Sequence, residues 1–131
     1  MANFTLWEMP EVKGIIGFRK LVIDGFCPYD EFCKLIEGEG NLRKQLIGIA
    51  HTMNEVANRR SLPKEKFRDI TPEKDLVREY EFKKGDLRVY AIKDVAGHIV
   101  ILGGKKNSQK KDIRSFRAIK QRYLQSKKEA S

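Results

Sequence analysis

The residues able to do chemistry in this chain are cations, and they are gathered at one end. The 131 residues hold 27 Lys and Arg against 18 Asp and Glu, a formal charge of +9. Residues 1–81 are balanced, with 13 basic and 14 acidic side chains, whereas residues 82–131 hold 14 basic and 4 acidic ones. From Lys105 to Lys128 ten basic residues face one acid, Asp112. A block this lopsided implies a polyanionic partner, namely nucleic acid, a membrane surface or an acidic protein segment; the bland alternative is a solvated helix face. Other chemistries have little to build on. Cys27 and Cys33 are six positions apart with no third cysteine, and His51 and His98 lie far off in sequence. The thiols read as small hydrophobes, and no metal or cofactor is expected.

The elements that must position these cations follow from patterning. At 40% apolar and 34% charged residues, the composition argues against disorder and against a coiled-coil rod. The length suits one domain, residues 1–131. No apolar run approaches 18 residues, and the first residues lack the basic and apolar regions of a secretion signal, so the cytoplasm is the expected compartment.

Phe4, Leu6 and Met9 suit a short strand, and Lys20 to Asp24 a second β-branched run ended by Gly25. Pro28-Tyr29-Asp30-Glu31 opens a helix that Gly38 ends. Asn41 is the expected cap of a longer helix whose apolar residues Leu42, Leu46, Ile49, Met53 and Val56 recur at helical spacing. The short link makes the two an antiparallel hairpin. Pro63 and Pro72 bracket a polar connector. Three strands follow: Leu76 to Phe82, Leu87 to Lys93 and His98 to Leu102. They are joined by the turns Lys83-Lys84-Gly85-Asp86 and Asp94-Val95-Ala96-Gly97, with Gly103-Gly104 stopping the last. Asn107 or Ser108 caps a final basic helix with Ile113, Phe116, Ile119 and Tyr123 on one side. The expected class is α+β: a small antiparallel sheet, an N-terminal helix hairpin packed on it and a basic C-terminal helix.

One stretch resembles a known family. It comprises Tyr80-Glu81-Phe82-Lys83-Lys84-Gly85-Asp86-Leu87-Arg88-Val89-Tyr90, Gly97-His98-Ile99-Val100-Ile101-Leu102-Gly103-Gly104-Lys105-Lys106 and Ser108-Gln109-Lys110-Lys111-Asp112-Ile113. Its order, an arginine opening an apolar strand, a turn, a second apolar strand and a basic tail entering a helix, resembles the RelE/ParE toxins of bacterial type II toxin–antitoxin modules, nearest their phage-derived, HigB-like branch. Against that pattern residues 1–20 look like an N-terminal extension. The resemblance implies a ribosome-dependent endoribonuclease that cuts translated mRNA and inhibits translation. It implies a cognate antitoxin as partner, with DNA reached only through the toxin–antitoxin complex. A sister branch inhibits DNA gyrase without catalysis, and a basic nucleic-acid-binding module without activity is a further alternative.

Cleavage of this kind needs no metal. The 2′-hydroxyl attacks the adjacent phosphate, a base takes its proton, cations stabilise the phosphorane and an acid protonates the leaving oxygen. Clustered cations suit this, because a neighbouring positive charge depresses a lysine's pKa. Arg88 matches the family arginine that contacts the scissile phosphate; its bland alternative is an ion pair with Glu79 or Glu81 across the hairpin. Lys105 and Lys106 match the basic position closing the last strand, and complete the expected catalytic set. Lys83, Lys84, Tyr90, Lys110, Lys111, Arg114 and Arg117 are the expected RNA-binding residues. Tyr90 is placed to stack on a base or donate a proton, or simply to pack on the sheet. His98 reads as an ordinary strand-edge histidine. Glu79 and Glu81 stand where family members carry lysines, and this leaves the base and the acid unassigned.

Overall fold

The computed structural model describes residues 2–130. Its elements are β1 (Phe4–Glu8), β2 (Gly17–Ile23), α1 (Pro28–Glu37), α2 (Gly40–Ala57), β3 (Phe67–Asp69), β4 (Glu79–Lys84), β5 (Leu87–Asp94), β6 (Gly97–Lys105), a 3₁₀ turn (Lys106–Ser108) and α3 (Gln109–Ala130). The six strands form one sheet in the order β1-β2-β6-β5-β4-β3. Every pairing is antiparallel except β2 with β6, which is parallel.

The expected small antiparallel sheet with an N-terminal helix hairpin is therefore overturned. The sheet is six-stranded and mixed, and two strands precede the first helix. The helix pair packs on the sheet from the middle of the sequence. Short-range patterning marks the two leading strands but not their junction with β6, because a parallel pair is joined through distant chain and leaves no turn between its strands.

Alternation along the central strands splits the interior in two. Val22, Phe82, Leu87, Val89, Ala91 and Val100 pack beneath α1 and α2, against Phe32, Ile36, Leu42, Ile49 and Met53. Leu21, Tyr90, Ile92, Ile99 and Ile101 pack on the opposite side against Phe116 and Tyr123 of α3. Covered on both faces, β5 and β6 become near-continuous apolar runs. α1 starts with Pro28 in its first turn, carries Asp30 and Glu31 there and ends with Lys34 in its last turn, a charge order that complements the helix dipole. α2 begins two residues earlier than expected, at Gly40 with Glu39 in the cap position, so Asn41 lies inside the helix.

Two further expectations are corrected by packing. The connector between Pro63 and Pro72 contains β3, a strand too short to alternate visibly. It forms because Phe67 packs against the rings of Tyr80 and Phe82, each 4.9 Å away, and pairs in register with Phe82. β6 runs through Gly103 and Gly104 instead of stopping there. A bulge between the Tyr90–Leu102 and Ala91–Val100 pairs re-aims this end of the strand. A side chain on Gly103 would strike the Phe32 ring, and one on Gly104 would strike the Asp112 carboxylate. The glycines are where a helix on each face comes down onto the strand.

Gly97 is the third such position. It sits in the β5–β6 turn at φ 144°, against the backbone of Gly17 where the parallel pairing with β2 begins. Gly97→Ala is expected to lower stability by about 3 kcal/mol, through a disfavoured backbone conformation and a clash with the Gly17 carbonyl. Urea unfolding monitored by circular dichroism reads this directly.

Candidate nucleic-acid interface at the end of the sheet

The end of β4, the start of β5, the end of β6 and the first turns of α3 meet at one end of the sheet. The registers Lys83–Arg88–Gly104 and Lys84–Leu87–Lys105 run across it. They also divide the expected site between two faces. Arg88 lies on the α3 side with Lys83, two residues along from Tyr90. Lys84 lies on the other side, its chain passing over Gly48 of α2. Lys105 is there too, its ammonium 3.8 Å from the Glu39 carboxylate. Lys106 is exposed in the 3₁₀ turn, and its backbone N–H donates to the Asp86 carbonyl at 2.7 Å. Lys105 and Lys106 line a cleft of about 580 Å³ with Glu39, Asn41, Asp86 and Asn107. The structure thus places Arg88 and Lys105 on opposite sides of the strand end.

Arg88 is half-buried and forms no ion pair among the described residues. Its Nη1 donates to the carbonyls of Gly85 and Leu87, both at 2.8 Å. The alternative pairing with Glu79 or Glu81 is not formed, because both carboxylates are held by other groups. Glu81, fully buried, accepts from Arg68 at 2.9 Å and from the Gln109 side chain. Glu79 accepts from Arg117 at 2.9 Å and from Lys120 at 2.7 Å.

These contacts sort the basic helix. Arg117 is turned inward, its guanidinium shared between Glu79 and the Ile70 carbonyl. Lys120, only 2% exposed, bonds Asp75, Val77 and Glu79. The Lys120 hydrogen bond holds the Asp75 carboxyl below its ordinary pKa. Lys110, Lys111 and Arg114 are exposed on the first turns of α3, beside the Arg88 end of the sheet. Sequence reasoning gave Arg117 the same outward role as these three. It missed Arg68 and Lys120: the first sat in a stretch read as connector, the second inside a run of cations whose facing carboxylates come from another element.

Tyr90 is fully buried against Phe116, ring centroids 5.6 Å apart, and its hydroxyl has no partner among the described residues. Burial pushes its pKa up, with the Glu81 and Asp112 carboxylates adding to the effect. At neutral pH it is a protonated donor, and its ring has no face free for stacking. Asp112 accepts from Ser108 at 2.6 Å above Gly104.

His98 lies at the start of β6, the strand that it is expected to open, and is buried there. It is 3% exposed, ringed by Phe18, Phe67 and Tyr80 at 4.9, 6.2 and 5.3 Å between centroids. Burial, and next the charge of Lys93, lower its pKa to about 4. His51 is exposed on α2, 3.2 Å from Glu55. Cys27 is buried and Cys33 half-buried, both as free thiols. No helix among the described residues is long and apolar enough to cross a membrane.

Two stability measurements follow from this geometry. Lys120→Met leaves Asp75 and part of Glu79 uncompensated beneath α3, and is expected to cost about 3 kcal/mol in urea unfolding. His98 is neutral when folded and has an ordinary pKa near 6.5 when unfolded. Its contribution is complete above pH 6.5 and is lost as pH falls toward 4, on the order of 3 kcal/mol in all. Stability measured from pH 7 to 4 is expected to fall less steeply for His98→Leu than for the parent chain.

In comparisons with known proteins, no family model, curated protein or solved structure matches the chain.

Proposed function

We propose that this chain binds RNA and cleaves it without a metal, as the toxin of a toxin–antitoxin module acting on translated mRNA. The observation that carries this reading is Arg88. It pairs with no carboxylate among the described residues, its plane is held by two backbone carbonyls, and it stands at the end of the sheet. Exposed Lys110, Lys111 and Arg114 flank it, with Lys83 in the adjacent register position. A fixed guanidinium is suited to phosphate, being always charged and able to donate two parallel hydrogen bonds. The resemblance of Tyr80 to Ile113 to RelE/ParE toxins supports the same substrate.

In this reading the surrounding lysines hold the RNA backbone, and affinity falls steeply with salt. Arg88 contacts the scissile phosphate and stabilises the charge that develops as the 2′-oxygen attacks phosphorus and the 5′-oxygen leaves. The product is a 2′,3′-cyclic phosphate. The ribosome and its mRNA place the protein in the cytoplasm. A cognate antitoxin, acidic where it meets this end of the sheet, keeps it inactive.

The test is induced expression in a bacterium, followed by primer extension on an abundant mRNA. New cuts within translated regions are expected. Arg88→Ala should reduce them at least about 100-fold, the loss typical of a missing transition-state donor. Arg88→Lys keeps a charge at the same place and shows whether loss of the fork alone is enough. Growth arrest with intact mRNA would point instead to a protein target such as gyrase, and the absence of both would overturn the toxin reading.

A further inference from the structure

β3 brings a second arginine to the face that holds Arg88. In register, Arg68, Glu81, Tyr90 and Leu102 form one row across β3, β4, β5 and β6, and Lys83, Arg88 and Gly104 form the next. Glu81 is inaccessible, with one carboxylate oxygen taken by Arg68 Nη2 at 2.9 Å and the other by Gln109. The Arg68 side chain is 41% exposed. The carboxylate therefore grips one corner of the guanidinium from below, Nε is buried, and the remainder of the side chain reaches solvent.

Within these two rows three buried polar atoms lack a partner among the described residues: Arg68 Nε, Arg88 Nε and the Tyr90 hydroxyl. An unsatisfied buried polar group costs about 1–3 kcal/mol, and three of them fall within two neighbouring rows of one face. All three are donors. Two carry a full positive charge, and the third is held protonated by its surroundings. Only the Tyr90 hydroxyl can also accept, and the two guanidinium groups are donors alone, so the group that complements the set is an acceptor bearing negative charge. Arg88 spends Nη1 on the two carbonyls, which leaves its Nε and Nη2 edge, the side that grips an oxyanion with two parallel bonds.

We propose that Arg68, Arg88 and Tyr90 form an oxyanion subsite for the phosphate of an RNA phosphodiester, with Glu81 as the positioning residue that holds Arg68. The assignment of RNA rests on the function proposed above; the capture of a phosphate rests on the donors alone. Arg68 adds a second guanidinium from a strand that carries no part of the expected motif, and Tyr90 serves as a hydrogen-bond donor to a phosphate oxygen.

The arginine Nε–H resonances of the ¹⁵N-labelled protein report on this site. They would be followed during titration with inorganic phosphate, against chloride at equal ionic strength. A second titration uses a 2′-deoxy dinucleotide, whose phosphodiester has no 2′-hydroxyl to attack it. The signals of Arg68 and Arg88, assigned from Arg68→Lys and Arg88→Lys spectra, are expected to move together with a single Kd, tighter for the dinucleotide. Arg68→Lys and Glu81→Gln are each expected to weaken binding about tenfold, the loss of one charge-assisted hydrogen bond. Arg68→Lys retains the positive charge beside Glu81, so it tests the fork and not the fold. Signals that stay still, or that move equally in chloride, would overturn the subsite. Full mRNA cutting by Arg68→Lys, with no phosphate response, overturns the subsite and leaves the ribonuclease standing. A phosphate response in a protein that cuts no mRNA supports the subsite and overturns the ribonuclease.

Discussion

Two carboxylates on one short strand organise this molecule. Glu79 and Glu81 project from β4 into the space beneath α3, and both are essentially inaccessible. A buried carboxylate is tolerated only when charges and hydrogen bonds replace the water it has lost. Here the replacements come from distant sequence: Arg68 on β3, and Gln109, Arg117 and Lys120 on α3. The two acids therefore dictate where the last helix lies, how it is rotated about its axis and why three residues of the connector join the sheet edge. Lys120 extends the same network to Asp75 and the Val77 carbonyl, tying the 70–78 segment to the helix.

This arrangement changes what the charge imbalance means. A run of ten cations reads as one uniform face, yet α3 must present an inward side as well as an outward one. Its inward side is Phe116 and Tyr123 together with Arg117 and Lys120, so part of the basic run neutralises the interior. What remains outward near the sheet end is Lys110, Lys111 and Arg114. The positive field available to a polyanion is thus narrower than composition suggests, and it is directed at the end where Arg88 stands.

The legible parts of the fold were those with a local signal. α2 is written in its apolar spacing, and the β4–β5 and β5–β6 turns are written in Gly85 and Gly97, both at positive φ. The parallel pairing of β2 with β6 has no such signature, and neither has β3, whose three residues are held by Phe67 and Arg68 reaching across to β4. The sheet's extent and mixed sense were lost for that reason. The candidate site was half legible. Arg88 and Tyr90 were visible as strand residues of suggestive type, but Glu81 read as a departure from a pattern, when its role is to hold an arginine that the pattern does not contain. The face of Lys105 depended on the bulge near Ile101, which no single residue announces.

The two arginines are held in physically different ways, and this bears on how an anion would sense them. Arg68 is anchored by a formal negative charge, so its field is partly cancelled at distances longer than the ion pair itself. Arg88 is anchored by carbonyl dipoles, which fix its plane without removing its charge. An approaching phosphate is therefore attracted first to Arg88, aided by the exposed lysines, whereas Arg68 contributes mainly at contact, where its free donors have direction and range only of hydrogen bonds. Attraction and alignment are separated between two side chains. The buried carboxylate that weakens the long-range pull of Arg68 is also what keeps its donors aimed, so replacing Glu81 would raise the net positive charge of the face while loosening the geometry on which the proposed oxyanion subsite depends.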